Sequence, residues 1–169
     1  MSITMSAPTE TAKLAELIRD IRVAMFTTYS TSGKPHTRPM YTQHVEPETF
    51  DGTLWFMTSA DCAKVRELKS DSTVQVVYSS YEKNRFVVLN GTATVERNPA
   101  QARELWNVHA KGWFPDGPDD PNLLLVKVHV DEGEYWDGPS KISYMLSLAK
   151  AVVTGNRVQT TGEHGKVTT

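Results

Sequence analysis

Apolar residues recur along this chain with two periods, and the period changes where short polar or Gly/Pro segments intervene. Leu14, Leu17, Ile18 and Ile21 fall on one face of a helix over Thr9 to Arg22. Val23 to Tyr29 (VAMFTTY) reads as a strand, Ser30 to Pro35 (STSGKP) as a turn, and His36 to Val45 (HTRPMYTQHV) as a second strand. Pro39 cannot donate to a ladder, so it predicts an edge or a bulge there. Thr53 to Met57 predicts a third strand and Thr73 to Ser79 a fourth. Within Arg85 to Glu96, Val87, Leu89, Ala93 and Val95 share a face, and Gly91 among them marks a bulge or the close approach of another group. Leu124, Val126, Val128 and Val130 alternate with Lys127, His129 and Asp131 in Asn122 to Trp136, the signature of a half-buried antiparallel strand.

Asn98-Pro99 opens a helix, with Asn as cap and Pro at the first position, and Ala102, Leu105, Trp106 and His109 continue it on one face. KGWFPDGPDDP follows as a loop, Pro139 to Thr154 reads as helical, and GNRVQTTGEHGKVTT as a flexible or loosely attached polar tail. The expected organisation is a flexible N-terminus over 1–8, one domain over 9–154 and a C-terminal tail over 155–169. About six short strands with peripheral helices make this a mainly β fold, a small antiparallel barrel and not a doubly wound sheet.

Composition narrows the function. A formal net charge of -2, with lysines and arginines scattered, gives no electrostatic preference for nucleic acid or anionic lipid. Cys62 stands alone, which excludes an intramolecular disulfide or a multi-cysteine metal site and suits a reducing cytoplasm. No apolar run approaches a membrane span, and MSITMSAPTE lacks the basic and apolar regions of a signal peptide, so a cytoplasmic location is expected. There is no GxGxxG, Walker loop or HExxH motif. The histidines at 36, 44, 109, 129 and 164 lack ligand spacing, and His109 and His129 read as structural or surface residues, so no metal is expected.

The chemistry concentrates in Thr53 to Leu68, TLWFMTSADCAKVREL, a strand that turns into a helix. Thr58-Ser59-Ala60-Asp61 fits a helix start near Thr58 or Ser59, with Cys62, Val65 and Leu68 as its apolar stripe. Unpaired N–H groups and a positive dipole end favour an anion there, and Lys64 sits against the dipole unless an anion lies between. Taken alone, the segment is a weak signal, since such a strand-turn-helix more often has an ordinary cap at Thr58 or Ser59 and a solvated lysine. Arg38, in the strand before it, adds a guanidinium fork that can join Lys64 on one phosphate.

Together GKPHTRPM, LWFMTSADCAKVREL, the strand ending NGTATV, the loop KGWFPDGPDDPNLLLVKV and the closing helix resemble the pyridoxamine 5'-phosphate oxidase-like FMN-binding split barrels, in their general stress protein 26-like branch. The resemblance covers roughly Leu14 to Thr154. It implies an antiparallel split β-barrel over 9–154 that binds FMN at the interface of a homodimer. Arg38, Pro39 and Met40 would border the flavin, and Met57, Thr58, Ser59 and Lys64 would hold the ring edge and the phosphate. Trp113, Phe114 and Trp136 are candidates for aromatic cover from the partner subunit. The implied activity is that of an FMN-dependent oxidoreductase of unknown substrate with a small-molecule electron donor, such as a reduced nicotinamide. The alternative is a non-catalytic FMN carrier or stress-response sensor. Other members of the superfamily use a deazaflavin or haem, so the resemblance leaves either open as an alternative to FMN, and a small barrel binding single-stranded nucleic acid is disfavoured by the acidic balance. The oxidase itself has lysine where Gln43 stands, arginine where Ala63 stands and glutamine where Phe86 falls, and it ends in a tryptophan-containing segment for which the tail here has no counterpart. Oxidation of pyridoxamine phosphate is therefore not expected.

Overall fold

A computed structural model describes residues 9–139, 141–158 and 162–169. The expected flexible segment 1–8 and parts of the expected helix start (Ser140) and tail (159–161) lie outside the described residues. Helix α1 (Glu10–Ile18) begins at Thr9, whose hydroxyl accepts from the Ala12 amide, and buries Leu14, Ala15, Leu17 and Ile18. It ends four residues earlier than expected, and Ile21 packs on the core from the connection that follows. Then come β1 (Val23–Tyr29), β2 (Pro35–Tyr41), β3 (Thr53–Ser59), α2 (Ala63–Ser70), β4 (Thr73–Ser80) and β5 (Arg85–Glu96). The chain continues through α3 (Pro99–Leu105), α4 (Val108–Trp113), β6 (Leu123–Asp137), α5 (Lys141–Thr154) and β7 (Glu163–Thr168).

All strand pairings are antiparallel, in the order β2-β1-β4-β5-β6-β3, with β7 added to β6. The two ends of this path touch: Thr42 bridges Phe56, and the Gln43 amide donates to the Trp55 carbonyl at 2.8 Å. The result is an antiparallel split barrel, held at this seam by a buried hydrogen bond of 2.8 Å between the Thr42 and Tyr78 hydroxyls. Pro39 lies on the end strand β2, where a missing donor is tolerated.

The barrel interior and α1 form one apolar core, in which Phe26 and Phe56 meet edge to face at 5.0 Å. A smaller cluster of Ala102, Phe114, Leu123 and Leu125 lies outside it, with Trp55, Met57, Leu105 and Trp106 against it. The single helix expected after Asn98 is two. Trp106 is extended, and the Asn107 carboxamide oxygen caps a new helix by accepting from the His109 and Ala110 amides. The polar tail also departs from expectation: Glu163–Thr168 pairs with Glu132–Asp137 and buries Val167. Its alternation was too polar to read as a strand, because only Val167 turns inward.

Gly91 marks the bulge that sequence anticipates, where the β5–β6 register shifts after Asn90. A Cβ at Gly91 would lie 2.1 Å from the His129 carbonyl oxygen, and both partners are backbone. Gly91→Ala is expected to destabilise the protein by about 1–3 kcal/mol, as forced overpacking does. Urea unfolding checks this, and an unchanged midpoint would show that the bulge can open freely.

Candidate functional site

The seam brings the two segments of interest side by side, because β2 carries Arg38, Pro39 and Met40 while β3 carries Met57, Thr58 and Ser59. Helix α2 does not begin at Thr58 or Ser59. Both stay extended and pair with Leu124 and Leu123 of β6, the Asn122 side-chain Nδ2 donates to the Ser59 hydroxyl, and the Ala60 amide donates to the Asn122 backbone oxygen at 2.9 Å. The sheet contacts outweigh the cap pattern, and α2 starts at Ala63 with Cys62 as an N-cap that makes no side-chain cap bond. Lys64 lies in the first turn of the helix, and its ammonium donates to the buried Thr58 hydroxyl at 2.9 Å. The lysine is thereby fixed on the last residues of β3, with two of its three N–H donors left over.

Arg38 reaches the same helix. Its Nη1 donates to Thr28 Oγ1 at 2.5 Å and its Nη2 to Glu67 Oε2 at 2.9 Å. Glu67 also accepts from the Thr28 hydroxyl at 2.5 Å and lies 2.5 Å from His36 Nδ1. Lys64 and Glu67 are three residues apart on α2 and so share a face. Arg38 and Lys64 are thus attached to neighbouring turns of one helix. Burial alone would raise the Glu67 carboxyl, but the bonds from Thr28, His36 and Arg38 hold it down at about 2. Asp61, in the turn, is held below the ordinary carboxylate value, first by the Ser59 hydroxyl.

The remaining candidates scatter. The Met40 side chain is buried in the main core, so only its backbone borders the seam, whereas Pro39 is exposed. Met57 is half-buried against the smaller cluster. Trp113 is 84% exposed at the end of α4. Phe114 is 6% exposed inside the cluster with Ala102, Leu123 and Leu125. Trp136 stacks on His164 of β7 at 5.2 Å. The groups missed in the sequence are Thr28, His36 and Glu67 around Arg38, and the Gln43–Asn107 pair at 2.6 Å. The spacing of Lys64 and Glu67 was the one available signal for the first set. For the second there was none.

Among the described residues, two concavities are lined by groups other than Arg38 and Lys64. One groove of about 130 Å³ runs between Val88, Asn90, Glu134 and Lys166, and a wider depression of about 330 Å³ sits beside Tyr81, Asn84, Pro139 and Tyr144. Among the described residues no group of His, Cys, Asp and Glu is placed to hold a metal, and no helix is long and apolar enough to cross a membrane.

The depressed Glu67 carboxyl has a signed consequence. A group whose folded value lies below its unfolded value of 4.5 contributes stability that is present above about pH 4.5 and lost as pH falls through about 2. Unfolding free energy should therefore drop across that window in the wild type. Glu67→Gln should flatten that part of the profile, and an unaltered profile would show that the carboxylate is not held as its contacts indicate.

Comparison with known proteins agrees with this architecture. General stress protein 26 of Bacillus subtilis is 27% identical over 121 residues, covering 69% of this chain and 81% of that protein. Protein bli-3 of Neurospora crassa is 26% identical over 111 residues, 60% of this chain, and the match spans about half (53%) of that longer protein. A Jannaschia sp. CCS1 structure bearing the general stress protein 26 name superposes with a TM-score of 0.77 at 23% identity, covering 95% of this chain and 98% of that one, which speaks to fold alone. The general stress FMN/FAD binding protein of Xanthomonas citri gives a TM-score of 0.67 at 27% identity, over 78% of this chain and 90% of that one. The family described as pyridoxamine 5'-phosphate oxidase like matches residues 9–159, nearly the whole chain, and the protein belongs to it.

Proposed function

We propose that this chain binds FMN at the β2–β3 seam, as a homodimer that completes each site, and acts as an FMN-dependent oxidoreductase in a reducing cytoplasm. The observation that carries the reading is that Arg38 bonds Glu67 of α2 one turn along from Lys64, whose ammonium is bonded to the Thr58 hydroxyl. Of the five N–H donors of a guanidinium, two are used by Thr28 and Glu67, which leaves donors for phosphate oxygens. The residues therefore fit a phosphomonoester, and the Xanthomonas relative is itself called an FMN/FAD binding protein. A terminal phosphate favours FMN over riboflavin or a nucleobase-capped flavin.

Pro39 and the Met40 backbone would lie along the ring, with Met57 at its edge. Exposed Trp113 and Val108 on α4, with Trp136, are the aromatic and apolar groups a second copy would bring as cover for a flavin. When bound, the flavin would supply hydride and electron chemistry, and the protein would supply position and charge. Gln43 stands where the oxidase has a lysine, and its carboxamide is tied to Asn107. This supports a site that does not turn over pyridoxamine phosphate. The carrier reading has one observation in its favour: Glu67, the perturbed carboxyl beside the site, is locked by three donors and anionic at neutral pH, so it does not serve as an acid or base.

Lys64→Ala should remove one charge-assisted bond to phosphate, about 1.5–3 kcal/mol, and weaken FMN roughly ten- to a hundredfold. Riboflavin affinity should stay unchanged, and the apo variant should lose no more than about 1 kcal/mol, the worth of the single Thr58 bond. Calorimetric titration checks both, and equal FMN affinity in variant and wild type would move the phosphate elsewhere. Rapid bleaching of the flavin spectrum by NADH or NADPH with turnover is expected of the oxidoreductase. A bound flavin that neither donor reduces would favour the carrier.

A further inference from the structure

Arg38 is a long side chain with many rotamers, and a guanidinium aids phosphate binding only when its fork is already aimed. Here its position is set by other residues. Glu67 Oε2 accepts from Arg38 Nη2 at 2.9 Å and from the Thr28 hydroxyl at 2.5 Å, and the same hydroxyl oxygen accepts from Arg38 Nη1 at 2.5 Å. The three groups close a ring between β1, β2 and α2. Glu67 Oε1 meets His36 Nδ1, so both carboxylate oxygens are engaged. The Glu67 side chain is only 11% exposed, while that of Arg38 is 24% exposed. The carboxylate is the inner partner and the guanidinium the outer one.

We propose that Glu67 is the positioning residue of the phosphate site, holding the Arg38 guanidinium against α2 one turn from Lys64 with N–H donors to spare. This rests on the reading of Arg38 as a phosphate ligand. The opposing role for a carboxylate here is as a competitor that neutralises Arg38 and repels phosphate. The two roles differ in sign. Loss of a positioning group weakens FMN binding, whereas loss of a competitor strengthens it.

The test is calorimetric titration of the full-length apo protein with FMN and with riboflavin, in Glu67→Ala, Glu67→Gln, Arg38→Ala and the double variant with alanine at both positions. Glu67→Ala should weaken FMN about tenfold and leave riboflavin within about twofold. Glu67→Gln should restore FMN affinity to within about threefold of wild type, because its amide oxygen still accepts from Arg38 and Thr28. In the Arg38→Ala background, alanine at Glu67 should add nothing, as expected when one residue acts only through the other. Unchanged or tighter FMN binding by Glu67→Ala, with Arg38→Ala weakened, overturns the positioning role alone. Wild-type FMN binding by Arg38→Ala rejects the phosphate reading itself, and the proposal with it. Should Glu67→Ala fail to fold, the Arg38 side-chain nitrogen resonances of the wild-type apo protein decide. Separate Nη signals indicate a held guanidinium, and one averaged signal overturns the proposal.

Discussion

The antiparallel ladder between β5 and β6 is the constraint from which the rest of the architecture follows. β6 is long enough to pair with β5 along its whole length while giving its first half to β3 and its second half to β7. The change of register after Asn90 lets one strand serve both neighbours, and it depends on Gly91 passing beside the His129 carbonyl. Because β6 fixes β3, it also fixes where Thr58 and Ser59 stop, and hence where α2 begins. The candidate site is thus placed by a ladder whose bulge lies away from it.

Inside this frame, charge is handled by pairing. Arg38 and Glu67 are drawn under the β1–β2 hairpin and satisfy one another through Thr28, and buried side-chain polar atoms among the described residues all find partners. Burying one of the two without the other would leave an uncompensated charge, so the pair stands or falls together. Lys64 differs from them in being attached only to a neutral hydroxyl, and it is the cation of the site that keeps its charge unopposed by a direct ion pair among the described residues.

Strand periodicity carried the barrel, because Val87, Leu89, Ala93 and Val126, Val128, Val130 alternate cleanly into the core. Pro39 and Gly91 announced an edge and a bulge through backbone chemistry that no context can override. What failed was local signal in competition with tertiary contact. Thr58-Ser59-Ala60-Asp61 has the composition of a helix cap, yet Leu123 and Leu124 hold its first two residues in the sheet. The helix after Asn98 looked continuous because Ala102, Leu105 and Trp106 share a face with His109, and nothing local reveals that Asn107 breaks it to meet Gln43, 64 residues away. The closing strand was invisible for a related reason, since β7 is held by backbone pairing with only Val167 buried. Arg38 and Lys64 can be named from the sequence, but the carboxylate that holds Arg38 needs the β1–β2 hairpin and α2 to be docked.

The Gln43–Asn107 contact has a directional consequence. Asn107 uses its oxygen to receive two amides of α4, so only its nitrogen is left to face Gln43. Gln43 must then answer with its oxygen, and its own nitrogen is turned away from Asn107. Helix formation at Val108 thereby determines the polarity of a side chain at the seam itself, 64 residues away in sequence. A carboxamide is ambiguous by itself, with two faces of similar shape and opposite sense. In this protein that ambiguity is removed by a helix terminus, which converts a backbone event into a fixed donor orientation beside the joined ends of the barrel.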